Sequence, residues 1–96
     1  MLIALIARDK PGALQTRLDN RDKHVAYLKE SGVVSQAGPL LDAEGGMIGS
    51  LVILEVEDMA AAEAWAAKDP YKAADLFESV EMIPWNHGAT IGVKAT

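Results

Sequence analysis

Apolar residues open the chain as a short block, Leu2 to Ala7, and Arg8 and Pro11-Gly12 close it. A brief apolar run bounded by turn residues predicts a buried strand rather than a helix. The pattern then changes period. From Ala13 to Glu30, Leu14, Leu18, Val25 and Leu28 recur at helical spacing, and Gly32 suits the left-handed position that ends a helix. Val33 to Leu41 reads as a strand interrupted by Gly38-Pro39, and proline confines a strand to a sheet edge or a bulge. Asp42 to Gly46 is a turn, and Met47 to Val56 is the strongest strand pattern in the chain. Asp58 is a good N-cap for an alanine-rich helix from Met59 to Lys68. Asp69-Pro70 ends that helix, because a residue before proline avoids helical geometry. Tyr71 to Phe77 forms a short helical turn, Glu78 to Trp85 alternates as a last strand, and Asn86-His87-Gly88 opens the tail. The order β-α-β-β-α-β predicts an α+β, ferredoxin-like domain over residues 1–96, with an antiparallel sheet and both helices on one face.

That topology leaves a problem on the other face. Neighbouring strand residues point to opposite sides, so Leu51-Val52-Ile53-Leu54 is apolar on both, and Leu2 to Ile6 is as well. Two helices cover one side only. Strands that read as continuous apolar runs are buried on both sides, so a homodimer through the sheet face is the simplest expectation. A partly exposed sheet or a covering tail would be the alternatives.

Composition narrows the chemistry. The 96 residues are 50% hydrophobic and 24% charged, with a net charge of −5. This is ordinary for a globular domain. Such an acidic chain without a basic, aromatic-rich run is a poor partner for nucleic acid. No cysteine is present, which excludes disulfides, cysteine nucleophiles and thiolate metal sites. The reducing cytoplasm suits such a chain. The opening apolar run lacks a preceding basic residue and a cleavage pattern, and it is far too short to span a bilayer. No membrane association is therefore expected.

The first helix carries an anomaly. At about 100° per residue, Arg21 falls near the middle of the Leu14, Leu18, Val25, Leu28 stripe, and Arg17 and His24 fall along one edge. A guanidinium facing a core is costly unless it is paired or reaches water. The two readings are solvated arginines with a satisfied histidine, or a site. Asp69 is the natural carboxylate to set against this stripe. It also reads as an N-cap, with Pro70 at the first helical position, and one oxygen could cap while the other accepts from an imidazole or guanidinium. Ser50 shares a strand face with Ile48, Val52 and Leu54 and reads most simply as bonded to the backbone. Tyr27 falls outside the stripe and is expected at the surface. Tyr71 and Trp85 are expected as core or interface aromatics and His87 as a loop residue. No ligand spacing supports a metal, and no phosphate loop, nucleophile elbow or dinucleotide fingerprint occurs.

The ordered set Arg17-Leu18-Asp19-Asn20-Arg21-Asp22-Lys23-His24, Ala37-Gly38-Pro39, Gly49-Ser50 and Ala64-Trp65-Ala66-Ala67-Lys68-Asp69-Pro70-Tyr71 resembles the YciI-like, YCII-related domain family along nearly the whole chain. The resemblance implies the dimeric α/β-barrel version of the ferredoxin-like fold. It also implies an active site of His24 and Asp69, with Ser50 and Arg21 as further members. The short Asp42–Gly46 loop implies less of a lid than in the family pattern. Asp19 and Asp22 beside the histidine bear on which anions are welcome.

The function expected from these residues is cofactor-independent chemistry on a small, anionic or cyclic metabolite. His24 would move a proton, Asp69 would fix its tautomer, and Arg21 with Arg17 would hold a carboxylate or enolate. Proton abstraction followed by isomerisation or elimination is the reaction class. A metabolite-binding or sensing dimer using the same pocket, and a purely structural dimer, are the competing readings.

Overall fold

The computed structural model describes residues 1–88. Its strands are β1 (Leu2–Asp9), β2 (Val34–Leu41), β3 (Met47–Glu55) and β4 (Phe77–Trp85); its helices are α1 (Leu14–Ser31), α2 (Met59–Ala67) and the single turn α3 (Pro70–Ala73). The sheet is fully antiparallel in the order β2-β3-β1-β4. This is the ferredoxin-like arrangement that the sequence predicts. The two most apolar strands, β1 and β3, lie in the middle, with a hydrogen-bonded strand on each side. β2, with Pro39, takes an edge, and its register shifts at both ends.

Local chemistry sets the element ends. Gly12 and Gly32 have positive φ on either side of α1, a backbone conformation that costs glycine little. Asp58 extends before α2 and accepts from the Ala61 N–H at 2.8 Å. Asp69 is extended before Pro70 and accepts from the Tyr71 N–H at 2.9 Å.

The core lies between the sheet and the helices. Ile3, Leu5 and Ala7 of β1 and Val52 and Leu54 of β3 pack with Ala62 and Trp65 of α2. Among the described residues nothing covers the opposite sheet face; a covering tail would lie outside them. There Leu51 is 38% exposed, Ile83 43% and Trp85 40%.

α1 differs from the sequence expectation. Leu14 and Leu18, expected in the buried stripe, are 47% and 46% exposed, whereas Arg17 and His24 are the buried residues of the helix. The buried stripe is thus turned by roughly a quarter of the helix circumference at about 100° per residue. Arg21, expected near its middle, is exposed. Tyr27, expected at the surface, is half-buried; its hydroxyl donates to the Trp65 carbonyl at 2.7 Å and its ring lies 5.0 Å from the Trp65 ring. The physical reason is partner supply. The polar groups on this side of α1 each meet a complementary group, and Leu14 and Leu18 lose less by exposure than an unpaired guanidinium would by burial.

Candidate active site

β1 ends in Asp9, a tight turn follows, and Arg17 returns one turn into α1 above the strand end. Its Nε donates to Asp9 Oδ2 at 2.7 Å and its Nη2 to Asp9 Oδ1 at 2.9 Å. The side chains are 3% and 5% exposed. This two-pronged pairing matches the planar guanidinium to the carboxylate. Nη2 also donates to Ser50 Oγ at 2.9 Å. Burial works against the Arg17 cation, but the hydrogen bonds and charge of Asp9, with a smaller contribution from Tyr71, outweigh it. The guanidinium is held above its ordinary value.

Ser50 owes its place to β3, where it pairs with Ala7 on the helix-covered face. Its neighbour Gly49 must lack a side chain, because a Cβ there would collide with the Ala7 carbonyl oxygen. That close approach brings Ser50 under α1. Ser50 therefore serves a buried cation, not merely the backbone.

Two turns further along α1, His24 Nδ1 lies 2.8 Å from Asp69 Oδ1, with side-chain exposures of 7% and 4%. The same Oδ1 accepts from the Tyr71 backbone N–H. Capping and pairing thus share one oxygen, where separate oxygens were expected. In the neutral imidazole, a carboxylate acceptor at this distance favours the tautomer with its proton on Nδ1 and its lone pair on Nε2. Nε2 makes no hydrogen bond to the described residues.

Tyr71 joins the two clusters. Its ring stacks on the imidazole at 3.9 Å between centroids and 13° between planes, and the Arg17 guanidinium carbon lies 4.7 Å from the ring centre. Burial pushes the phenol up; Arg17 and Arg21 pull it down, Asp69 and Asp9 push it up again, and the result is a raised value. The hydroxyl is neutral at physiological pH.

These groups border a cavity of about 170 Å³ between α1 and the sheet. Arg17, His24, Ser50 and Tyr71 are its buried lining, and the exposed Arg21 and Pro39 mark its rim. All five residues singled out from the sequence line this cavity or bond directly to a residue that does: Arg17, Arg21, His24 and Ser50 line it, and Asp69 holds His24 from behind. Arg21 forms no ion pair among the described residues. Sequence reasoning passed over Asp9; Tyr71, expected as a core or interface aromatic, is buried as expected, but its stacking on His24 was not foreseen. Asp9 gave no signal beyond standing at a strand end; Tyr71 could have been found from its place directly after the Asp-Pro pair.

A YCII-related domain model matches residues 1–86. Protein YciI of Escherichia coli O6:H1 is 38% identical over 94 residues, covering 88% of this chain and 96% of that protein. Among solved structures, the 5-chloro-2-hydroxyhydroquinone dehydrochlorinase of Burkholderia phenoliruptrix AC1100, in complex with 2,5-dihydroxybenzoquinone, superposes with a TM-score of 0.85 at 34% identity. The match covers 92% of this chain and 96% of that one. An antibiotic biosynthesis monooxygenase shares the fold, with a TM-score of 0.56 at 16% identity over 90% of this chain and 99% of that one.

Proposed function

Because the chain belongs to the YCII-related domain family, we propose that it is a cofactor-independent enzyme acting on a small, cyclic, anionic metabolite. The observation that carries this reading is the Nδ1–Asp69 hydrogen bond of 2.8 Å in a residue that lines a cavity. A histidine committed at Nδ1 offers Nε2 as a base. Asp69 keeps the tautomer and steadies the imidazolium that forms when Nε2 takes a proton. The substrate's C–H electrons then form a double bond as a leaving group departs with its own pair, or the proton returns at another carbon. The first outcome is elimination, the second isomerisation. Arg21, exposed at the rim and unpaired among the described residues, would receive a substrate carboxylate or ring oxyanion. Arg17 is already balanced by Asp9, so its part is to hold Ser50 and the Tyr71 ring in place along the wall.

The dehydrochlorinase relative supplies the first substrate to try, a chlorinated hydroxyhydroquinone, with chloride release as readout. His24→Ala is expected to lower turnover by about 10²–10⁴-fold, and Asp69→Asn by less. Chloride release undiminished in folded His24→Ala would sink the mechanism. A non-catalytic sensing domain would instead bind such rings and release no product.

The working unit in this reading is a homodimer closed over the open sheet face. Leu51, Ile83 and Trp85 on that face form an apolar surface that a second copy would cover, giving the dimeric α/β barrel.

A further inference from the structure

Arg17 and His24 lie two turns apart on α1, about 10 Å along its axis. The Tyr71 ring sits between them, the guanidinium 4.7 Å from its centre and the imidazole 3.9 Å. Tyr71 is 1% exposed, yet no fully buried side-chain oxygen or nitrogen lacks a partner among the described residues. Apart from the Arg17 guanidinium, which approaches it as a donor, its hydroxyl makes no hydrogen bond to the described residues, and Tyr71 lines the cavity. The hydroxyl is therefore the part of the side chain that meets the cavity. The Arg17 and Arg21 charges both act on it, against the smaller effects of the Asp69 and Asp9 carboxylates. A neutral O–H beside two guanidinium groups, one of them locked by Asp9 and Ser50, is a site for a negatively charged oxygen.

We propose that Tyr71 is a third working residue of this cavity: its ring holds the His24 imidazole in plane, and its hydroxyl donates to an oxyanion on the ring of the bound molecule. The proposal rests on the cavity being the ligand site, as in the functional reading above, and adds the substrate feature it selects, an ionised ring oxygen. Three features set the pose. The oxyanion meets Tyr71, the carbon that loses its proton meets His24, and Arg21 at the rim takes any second negative group. A ring with a neutral ether in place of the oxyanion would leave the hydroxyl a weaker partner and Arg21 without an anion.

The test separates ring from hydroxyl. 4-Nitrophenol serves as probe, because its phenolate and phenol absorb differently and binding can be read without turnover. Wild-type protein is expected to bind it as the phenolate. Tyr71→Phe keeps the ring and should weaken binding by about 10-fold or more, the worth of a hydrogen bond to a charged oxygen. The His24 ring protons, shifted upfield in the proton NMR spectrum by the stacked aromatic ring, should stay where they are in Tyr71→Phe. In Tyr71→Leu both the binding and the upfield shift should be lost, with dispersed amide signals as the control for folding. Equal binding by wild type and Tyr71→Phe overturns the proposal, and so does a wild type that does not bind the phenolate. An unshifted His24 ring in the wild type overturns the positioning half. Turnover that persists in His24→Ala would end the acid–base reading while leaving this binding comparison to decide the part of Tyr71.

Discussion

The two faces of the sheet depart from the usual division of residue types in opposite ways. On the helix-covered face Arg17, His24, Ser50 and Asp69 are buried, and on the open face Leu51, Ile83 and Trp85 are exposed. Charge goes inside on one side and hydrocarbon stays outside on the other. The difference teaches that burial here follows partner supply. Each buried polar group has a complementary atom within 2.9 Å, so its loss of water is met by a direct bond. Among the described residues, nothing lies against the open face.

The comparison can be broken first where it is most tightly tied. Asp9→Ala leaves a guanidinium buried without its counter-charge, which arginine cannot relieve by losing a proton. A loss of about 3–5 kcal/mol in unfolding free energy is expected, read from urea denaturation. A loss below about 1 kcal/mol, as for an exposed pair, would mean that Arg17 finds water and the covered face is less sealed than described.

The open face gives the next effect. Leu51→Lys should leave the folded chain nearly as stable, within about 0.5 kcal/mol, yet weaken self-association by roughly 30-fold, near 2 kcal/mol. Sedimentation across a concentration series reads this directly. Unaltered association would direct the search for an interface to another surface.

The smallest effect is a pH slope. Burial raises the phenols of Tyr71 and Tyr27 above the ordinary 10.0. Between the unfolded and folded values the unfolded chain has lost protons that the folded chain keeps, so it binds fewer protons and stability falls as pH rises. The contribution is fully present below pH 10 and fades as the folded-state values are passed. Urea midpoints should drop by roughly a few tenths of a molar between about pH 9 and about pH 11, and less in Tyr27→Phe. A flat profile would mean that these phenols are better hydrated than the covered face implies.

Much of the fold was legible in the sequence because it depends on period and punctuation. The apolar runs of β1 and β3, Pro39 at an edge, Gly32 after α1 and Asp58 before α2 each act through local sterics or a neighbouring N–H. The orientation of α1 was not legible in the same way. Its leucines suggested one face and its partners chose another, because a hydropathy pattern carries no information about a carboxylate eight positions earlier that folds back as a bidentate acceptor. His24, Asp69, Arg17, Ser50 and Arg21 could be named from residue types and from the family pattern. The Arg17–Tyr71–His24 stack could not, since it depends on where α3 docks against α1. Asp9 was invisible for the same reason, as any aspartate after a strand looks like a surface residue until the turn is built.

Asp69 Oδ1 receives both the His24 imidazole and the first N–H of α3. One atom therefore belongs to two selective accounts at once. A substitution that removed this oxygen would release the histidine and the turn together, and only asparagine keeps an acceptor there while giving up the charge. Drift at this position is narrow: even glutamate, with the same charge, would carry its oxygen one methylene beyond the point where the two donors converge.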